Sequence, residues 1–494
     1  MHLTKSAILA GLQCDKRLFL LLNHPELAKT RHSPLAQSGI DVGGLARTAF
    51  SDGVLVDRFG PDAQPYAQTQ ALVNDHQVNT IFEAGFRYQH AEVFVDILER
   101  DGDSWNLIEV KSSSSIKDTY IDDVTVQYLV VTGTGVVISR VELMILNKDF
   151  VYRTDHGYDG LFVREDVTDR VIVHSHLLAD RIAQLRQNMT STEPERHVDG
   201  HCNKPFPCEF KSYCEQQDGE YPVSALPNAA KAIQMLYANG IYDIRNIPAG
   251  MLSSESHIRV QRATRTGQAE LDDEAARVLN RLEYPRYYLD FEAINLAIPR
   301  WENTHPNQQH PFQWSCHIQD EDGVTEHEEF LDVSGHDPRR KFAESLIAVC
   351  GTCGPVIVYN QQFEKGIIKY LATSFTDLSD ALLAINQRVF DLLPVMKKYY
   401  YHPDMKGSWS IKKVLSCLLP EMRYADLGAV QDGLMAQSAY LDITAGKLSA
   451  KQTEALCADL REYCKLDTYA MLAIVDRVCW SSSHKSTLPC NNEK

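Results

Sequence analysis

A chain of 494 residues with 44% hydrophobic content has room for two or three domains with sizeable cores. Its formal net charge of −17 excludes a uniformly basic surface of the kind that coats nucleic acid. No run of eighteen or more apolar residues occurs, and Met1–Ser6 opens no apolar leader with a small-residue cleavage site, so neither a membrane span nor a signal peptide is expected and the expected compartment is the cytoplasm. With no export signal, the twelve cysteines are better read as metal-binding than as disulfide-forming.

The first part of the chain mixes helix and strand patterns. The spacing predicts one helix over Ile8–Leu22, two strands within Glu92–Lys111 around the turn Arg100–Asp103, and β-rich stretches at Leu129–Val137 and Val141–Leu146. From Leu177 onwards, Leu178, Ile182, Leu185 and Met189 recur at helical spacing. Asp96 lies in one strand of the hairpin; Glu109 and Lys111 lie in the other and share a face, because side chains alternate with period two. Two such carboxylates bind a metal, and the lysine positions the attacking water or steadies developing charge. An ordinary amphipathic hairpin with a surface ion pair is the competing reading. Glu83, in Phe82–Phe86, is a further candidate acid.

Cys202, Cys208 and Cys214 follow at regular spacing with prolines between them, which suggests a tight loop wrapped around a metal centre. Cys14 is the candidate fourth ligand, and His201 is adjacent to the set. Four thiolates suit zinc as well as iron–sulfur.

Asp96 with Glu109-x-Lys111 resembles the PD-(D/E)-x-K nucleases, and more closely their RecB-like branch, where a glutamine-bearing helix follows the E-x-K strand; Gln127 matches that glutamine. The resemblance implies a restriction-endonuclease-like α/β domain over residues 1–215 that holds one or two Mg²⁺ or Mn²⁺ ions. The branch often carries a metal-binding histidine on an early helix, and Gly39–Arg47 contains none. One early cysteine plus three beyond the nuclease core is the pattern of the iron–sulfur RecB-like nucleases, CRISPR-associated members included. It implies a 4Fe–4S cluster on Cys14, Cys202, Cys208 and Cys214 that staples the two ends of the domain. The departure is a C-x5-C-x5-C spacing where the family has C-x2-C-x5-C.

Residues 216–285 read as a helical connector with short helices at Ala229–Leu236 and Asp273–Leu282, punctuated by Asn239-Gly240 and Pro248-Ala249-Gly250, and as a spacer with no site of its own. From Tyr287 a new α/β unit begins. Strands are expected at Tyr287–Glu292, Phe312–His317, Glu328–Leu331 and Pro355–Tyr359, and helices at Lys341–Val349, Phe363–Leu371 and Ala455–Val478. The tail 481–494 is Ser-rich and expected to be disordered. Cys350-x-x-Cys353 reads as structural or incidental, and Cys464 as a buried packing thiol.

Asp290-x-Glu292 on an apolar strand puts two carboxylates on one face. Tyr463-x-x-x-Asp467 on a helix puts both residues on one face. Strand and helix together can hold two divalent cations, roughly 4 Å apart, for phosphodiester hydrolysis. Lys365, Lys369, Lys397, Lys398, Lys412 and Lys413 either form a local groove that tracks phosphates or are solvated helix positions.

The order Asp290, Glu292, then Asn360 to Glu364, then Asp391, then Tyr463 and Asp467 resembles the DnaQ-like exonucleases of the ribonuclease H-like fold, in the subgroup with a tyrosine in its third motif. The resemblance covers roughly Arg286 to Arg477 and implies an exonuclease domain over residues 286–480. It implies that Asp290, Glu292, Glu364 and Asp467 are metal ligands for Mg²⁺ or Mn²⁺, that Tyr463 orients the attacking water, and that Asn360 and Asp391 support the site. Glu364 stands where the family usually has aspartate; if it is not used, Asp391 is the next candidate. The whole chain resembles a bacterial family that joins a RecB-like iron–sulfur nuclease domain to a DnaQ-like exonuclease domain. The expectation is a metal-dependent nuclease acting on DNA in preference to RNA, exonucleolytic and on single-stranded ends, set in DNA repair or defence against foreign DNA with protein partners. The alternative is a nucleic-acid-binding or assembly component with one or both sites degenerate.

Overall fold

The computed structural model describes residues 2–29, 34–188, 192–422 and 428–483. The chain is a mixed α/β protein that divides into two compact units, Met1–Gln217 with Leu296–Gln308, and Asp218–Asn295 with Gln309–Lys494. No helix among the described residues is long and apolar enough to cross a membrane.

The first unit runs β1 (Leu3–Thr4), α1 (Lys5–Gln13), α2 (Asp15–Asn23), α3 (Pro34–Arg47), β2 (Gly53–Leu55), α4 (Pro65–Asn74), β3 (Thr80–Tyr88), β4 (Ala91–Asp101), β5 (Ser104–Lys111), α5 (Asp118–Gly133), β6 (Ile138–Leu146), β7 (Phe162–Asp166), α6 (Thr168–Asn188) and α7 (Lys211–Gln217). Its sheet has the order β2-β3-β4-β5-β6-β7, with β1 paired to β4. The β4–β5 hairpin pairs antiparallel from Asp101↔Ser104 to Ile97↔Ile108. Helix α5 is the crossover that lets β6 lie parallel to β5. Leu107, Val124, Val131, Val171 and Leu178 form the core between the sheet, α5 and α6.

Two expectations need correction here. The helix expected over Ile8–Leu22 is two helices, because Cys14 is extended at φ −162°, ψ 123°. Thr4 caps α1 by accepting from the Ala7 amide at 3.2 Å, and Asp15 supplies the acid favoured in the first turn of α2. The β-rich stretch Leu129–Val137 is instead the end of α5 through Gly133. Val124, Val126, Val130 and Val131 are all buried, and a helix covered on several sides shows no clean amphipathic period. Burial has overridden β propensity there.

The second unit runs α8 (Ala230–Ala238), α9 (Glu255–Thr266), β8 (Glu270–Leu271), α10 (Asp273–Leu279), β9 (Arg286–Leu296), β10 (Gln308–Gln319), β11 (Thr325–Leu331), α11 (Arg339–Cys350), β12 (Val356–Val358), α12 (Gln362–Ser374), α13 (Ser379–Gln387), β13 (Val389–Asp391), α14 (Leu392–Tyr399), β14 (Tyr400–Tyr401), α15 (Ile411–Leu418), α16 (Gly433–Thr444) and α17 (Ala450–Ser483). Its five-stranded sheet has the order β11-β10-β9-β12-β13. β12 is parallel to both β9 and β13, and β11 is antiparallel to β10.

Period two on the central strands positions the candidate site. Tyr287, Leu289, Phe291 and Ala293 of β9 join Phe342, Leu346 and Ile368 in one core. The alternate positions, Tyr288, Asp290 and Glu292, therefore emerge on the opposite face. On β10, Gln313, Ser315, His317 and Gln319 also alternate, and all four reach α17. Gln313 donates to the Leu460 carbonyl at 2.8 Å, Ser315 and His317 meet the Thr468 hydroxyl at 2.9 and 2.8 Å, and Gln319 donates to Asp476 at 3.1 Å. This polar seam fixes the register of α17 against the sheet.

The segment expected to be a spacer is part of this second core. Val223, Leu236, Val260 and Leu279 pack in one cluster with Tyr288, Ile357, Met396 and Val475, and β8 pairs with β14. At the other end, α17 continues past Trp480 to Ser483, and the rest of the expected disordered tail, 484–494, lies outside the described residues.

Candidate functional site

β12 pairs with β9 at Tyr287 and Tyr288 and ends at Val358. Asp290 and Glu292 thus stand just beyond the carboxyl end of β12, beside the strand whose neighbours on either side are reached by different connections. In open α/β sheets this crevice is the usual place for a ligand. Asp467, on α17, completes the group: one ligand atom from each of Asp290, Glu292 and Asp467 lies within 4.8 Å of the other two. Among the described residues this is the set of three metal-ligating side chains that meets that spacing.

Burial and mutual repulsion set the electrostatics. Burial, then Asp467, Glu292 and Glu364, push the Asp290 carboxyl well above the usual carboxylate range. Burial, then Asp467, push Glu292 up to about 8, although Lys412 pulls the other way. Glu364 opens α12, is 2% exposed, and is pushed up to about 8, first by burial. Its Oε2 has no hydrogen-bond partner. A buried, unsatisfied carboxylate oxygen beside three converging carboxylates is an expensive arrangement for the protein alone.

The neighbours have distinct jobs. Asp391 is the N-cap of α14; it accepts from the amides of Leu393, Asn360 and Gln361 at 3.0, 2.9 and 3.2 Å. Those bonds hold the turn at Asn360, whose φ is +78°. Asp391 thus spends both oxygens on backbone amides, as expected of a residue that supports the site's shape. Tyr463 is buried, with its hydroxyl held protonated by burial and the surrounding acids. Lys412 lies 5.0 Å from the Tyr463 ring centroid. Cys464 is buried, with its sulfur 3.6 Å from Asp290 Oδ2.

The first unit gathers a different set. Lys111 donates to Glu109 Oε1 at 2.6 Å and to Asp123 Oδ2 at 2.5 Å. Lys5, at the start of α1, lies 2.9 Å from both Glu109 Oε1 and Asp123 Oδ1. Gln127 donates to Glu109 Oε2 at 2.6 Å and to Asp123 Oδ1 at 3.2 Å. Asp96 accepts from the Val110 amide at 2.8 Å. Burial would raise Glu109, but the two lysines override it and hold the carboxyl below its ordinary range. Burial and the Glu109 charge push Asp96 up to about 7. Sequence reading missed Lys5 and Asp123. Asp123 carried a local signal, since it lies four residues before Gln127 on one helix; Lys5 carried none.

Glu83 is corrected as a metal ligand. It sits at φ +56° in β3, and its two oxygens take Arg47 at 2.7 Å and Arg58 at 2.6 Å.

Cys14, Cys202, Cys208 and Cys214 line one small pocket with His201 and Lys16. Gln13 donates to the carbonyls of His201 and Phe206 at 2.7 Å each, and Arg17 donates to Glu209 at 3.0 Å, so the α1–α2 turn is tied to the cysteine loop. Burial pushes the Cys202 thiol up to about 11 and Cys214 up to about 12. His201 Nε2 is 3.5 Å from the Cys202 sulfur. No three of these sulfurs fall within 4.8 Å of one another among the described residues.

Residues 287–410, which include Asp290, Glu292, Glu364 and Asp391 but stop short of Asp467, match a domain of unknown function (DUF2779). The chain is similar to the uncharacterized protein UU173 of Ureaplasma parvum serovar 3, with 27% identity over 232 residues, 42% of this chain and 33% of that protein. It is also similar to the uncharacterized protein MG366 of Mycoplasma genitalium, with 26% identity over 217 residues, 40% of this chain and 32% of that protein. The alignments span about a third of the length of these curated relatives.

Proposed function

We propose that the second unit is a metal-dependent nuclease of the DnaQ-like type on a ribonuclease H-like fold, hydrolysing phosphodiester bonds in DNA. The observation that carries this reading is the convergence of Asp290, Glu292 and Asp467 within 4.8 Å, beside the unpartnered Oε2 of Glu364. An all-oxygen, carboxylate-rich donor set suits Mg²⁺ or Mn²⁺. Raised carboxyl pKa values mean that protons take the place of the cation when metal is absent. Bound divalent cations supply an activated water and stabilise the leaving 3′ oxygen. Asp290, Glu292, Glu364 and Asp467 would hold them. Tyr463, kept protonated, donates a hydrogen bond to orient the attacking water. α17 is pinned by the β10 seam, so Tyr463 and Asp467 reach the site from a rigid element.

For the first unit, the RecB-like PD-(D/E)-x-K reading rests on Asp96, Glu109, Lys111 and Gln127 standing together. A binding or assembly role with a degenerate centre is the second reading. It is favoured by Lys5 and Lys111, which already neutralise Glu109 and Asp123, and by the two arginines on Glu83. Cutting is therefore assigned to the second unit. The cysteine pocket, lined by Cys14, Cys202, Cys208 and Cys214, is read as a 4Fe–4S site, with zinc as the alternative that four thiolates also suit. The setting is DNA repair or defence in the cytoplasm.

Purified protein with Mn²⁺ is expected to shorten end-labelled single- or double-stranded DNA. Intact DNA and RNA after incubation with Mg²⁺ and with Mn²⁺ would overturn the reading. A brown protein bleached by Cys208→Ala supports the cluster, and a colourless protein with stoichiometric zinc rejects it.

A further inference from the structure

A groove of about 940 Å³ opens in the second unit, within the upper range of ligand-sized clefts. One wall is built by the segment that sequence reading takes for a spacer: Asn228, Ser256 and His257. The other is built by Asn360, Lys397 and Ser410. The walls are locked together locally. Gly407 sits at φ +74°, and a Cβ there would come within 1.7 Å of the Ala225 carbonyl oxygen, so the 407–411 loop lies directly on the segment before α8. Tyr359 fastens the same loop by donating to the Trp409 carbonyl at 2.6 Å.

Two properties say what the groove takes. First, none of its fourteen lining residues is Asp or Glu, although the chain as a whole carries a net charge of −17. Lys397 is exposed and makes no ion pair among the described residues. The other polar groups are hydroxyls, amides and the His257 imidazole, whose Nε2 donates to the Pro227 carbonyl at 2.8 Å. Such a lining suits a phosphodiester backbone and its sugars, whose contacts come from arginine and lysine, from serine, threonine, asparagine, glutamine and tyrosine, and from backbone amides. Second, the groove abuts the acid cluster along the chain. Ile411 lines it, and the next residue, Lys412, lies over the Tyr463 ring. Asn360 lines it, and Glu364 lies one helical turn further on.

We propose that this groove binds the single-stranded polynucleotide next to the bond that is cut, with Lys397 on a phosphate and residues 228–257 supplying the far wall. The inference rests on the nuclease reading for its geometry, but its test is separable. Binding of fluorescein-labelled single-stranded DNA and single-stranded RNA oligonucleotides is read by anisotropy in Ca²⁺, across a salt series. Lys397→Glu is expected to weaken binding by about tenfold and to flatten the salt slope by about one phosphate contact. Ser256→Glu tests the opposite wall. It occupies the second position of α9, where a glutamate favours the helix itself, so lost binding reports the groove and not a damaged fold. A small activated phosphodiester, bis(p-nitrophenyl) phosphate, with Mn²⁺ reads the acid cluster alone and is expected to be hydrolysed equally by both groove variants. Unchanged oligonucleotide affinity in both variants overturns the groove. Affinity lost in the variants while wild-type protein cleaves neither the small ester nor the oligonucleotides upholds the groove and sinks the nuclease reading. The two oligonucleotide arms rank DNA against RNA.

Discussion

The two units each bury a cluster of carboxylates, and they balance them in opposite ways. In the first unit Glu109 and Asp123 are bridged by Lys5 and Lys111, and Gln127 takes further oxygens. In the second unit Asp290, Glu292 and Glu364 form no salt bridge among the described residues, and all three carboxyls are raised. A cluster that carries its own cations is complete as protein. In the second cluster Lys412 offsets part of the repulsion on Glu292, yet Asp290, Glu292 and Glu364 all stay raised, which favours protons or a supplied positive charge there. The largest effect should follow that division. Asp290→Ala with Glu292→Ala is expected to lower DNA cleavage by roughly a thousandfold, the several kcal/mol that metal activation supplies. Lys111→Ala should leave it within a few-fold. A cleavage assay on both variants that gave the reverse pattern would move the working site to the first unit.

The same comparison predicts where stability is lost. Lys111→Met leaves Glu109 buried at 2% exposure with a single remaining lysine. Breaking one arm of a buried ion network typically costs about 3–5 kcal/mol. A drop of that order in thermal or urea unfolding is expected for Lys111→Met, and a change under about 1 kcal/mol would mean that Lys5 alone compensates Glu109.

How much of this contrast was legible beforehand depends on the range of the interactions. The D-x-E of β9 and the Y-x-x-x-D of α17 are visible because strand and helix periods are local rules. Asp96, Glu109 and Gln127 could be placed together for the same reason, from a hairpin and the helix after it. Lys5 was not legible: it reaches Glu109 across 104 residues, and no period encodes that contact. Glu83 was misjudged because its partners Arg47 and Arg58 lie 36 and 25 residues away. The spacer reading of residues 216–285 failed on burial. Short helices broken by Asn239-Gly240 and Pro248-Ala249-Gly250 look like linkage, yet Leu236 and Val260 are buried in the core beneath β9 and α14.

The opposite electrostatics should also appear as opposite pH responses. Glu292 and Glu364 are raised from an ordinary value of 4.5 to about 8. The folded state then binds more protons than the unfolded state across that window, so their contribution to stability is full below about 4.5 and is lost as pH rises towards about 8. Glu109 is depressed, so its contribution is present above the ordinary carboxylate range and is lost on acidification. In EDTA, the protein is expected to lose on the order of 1–3 kcal/mol of stability between about pH 5 and about pH 8. Mn²⁺ should restore it most strongly at the alkaline end. Glu292→Gln should flatten the slope and blunt the Mn²⁺ response. Differential scanning fluorimetry over pH, with and without Mn²⁺, reads both; a metal-induced shift that is unchanged in Glu292→Gln would dissociate the raised carboxyls from cation binding.

The smallest effect separates scaffold from ligand inside the second unit. Asp391 and Glu364 are both acids near the crevice, but Asp391 spends its oxygens on the amides of Leu393, Asn360 and Gln361, whereas Glu364 Oε2 has no partner. Asparagine preserves an accepting oxygen and is itself a good N-cap, so Asp391→Asn should keep cleavage within a few-fold, and Asp391→Ala should cost about 1–2 kcal/mol as a lost cap. Glu364→Gln keeps size but removes the titrating group, so it should lower Mn²⁺-dependent cleavage and, like Glu292→Gln, flatten the pH slope of unfolding. Because the Asn360 turn held by Asp391 also lines the groove, Asp391→Ala has a second expected mark: weaker oligonucleotide binding with hydrolysis of the small ester retained. If Asp391→Asn instead abolished hydrolysis of the small ester while Glu364→Gln left it intact, the two acids would have to exchange roles, and Asp391 would belong to the cation set after all.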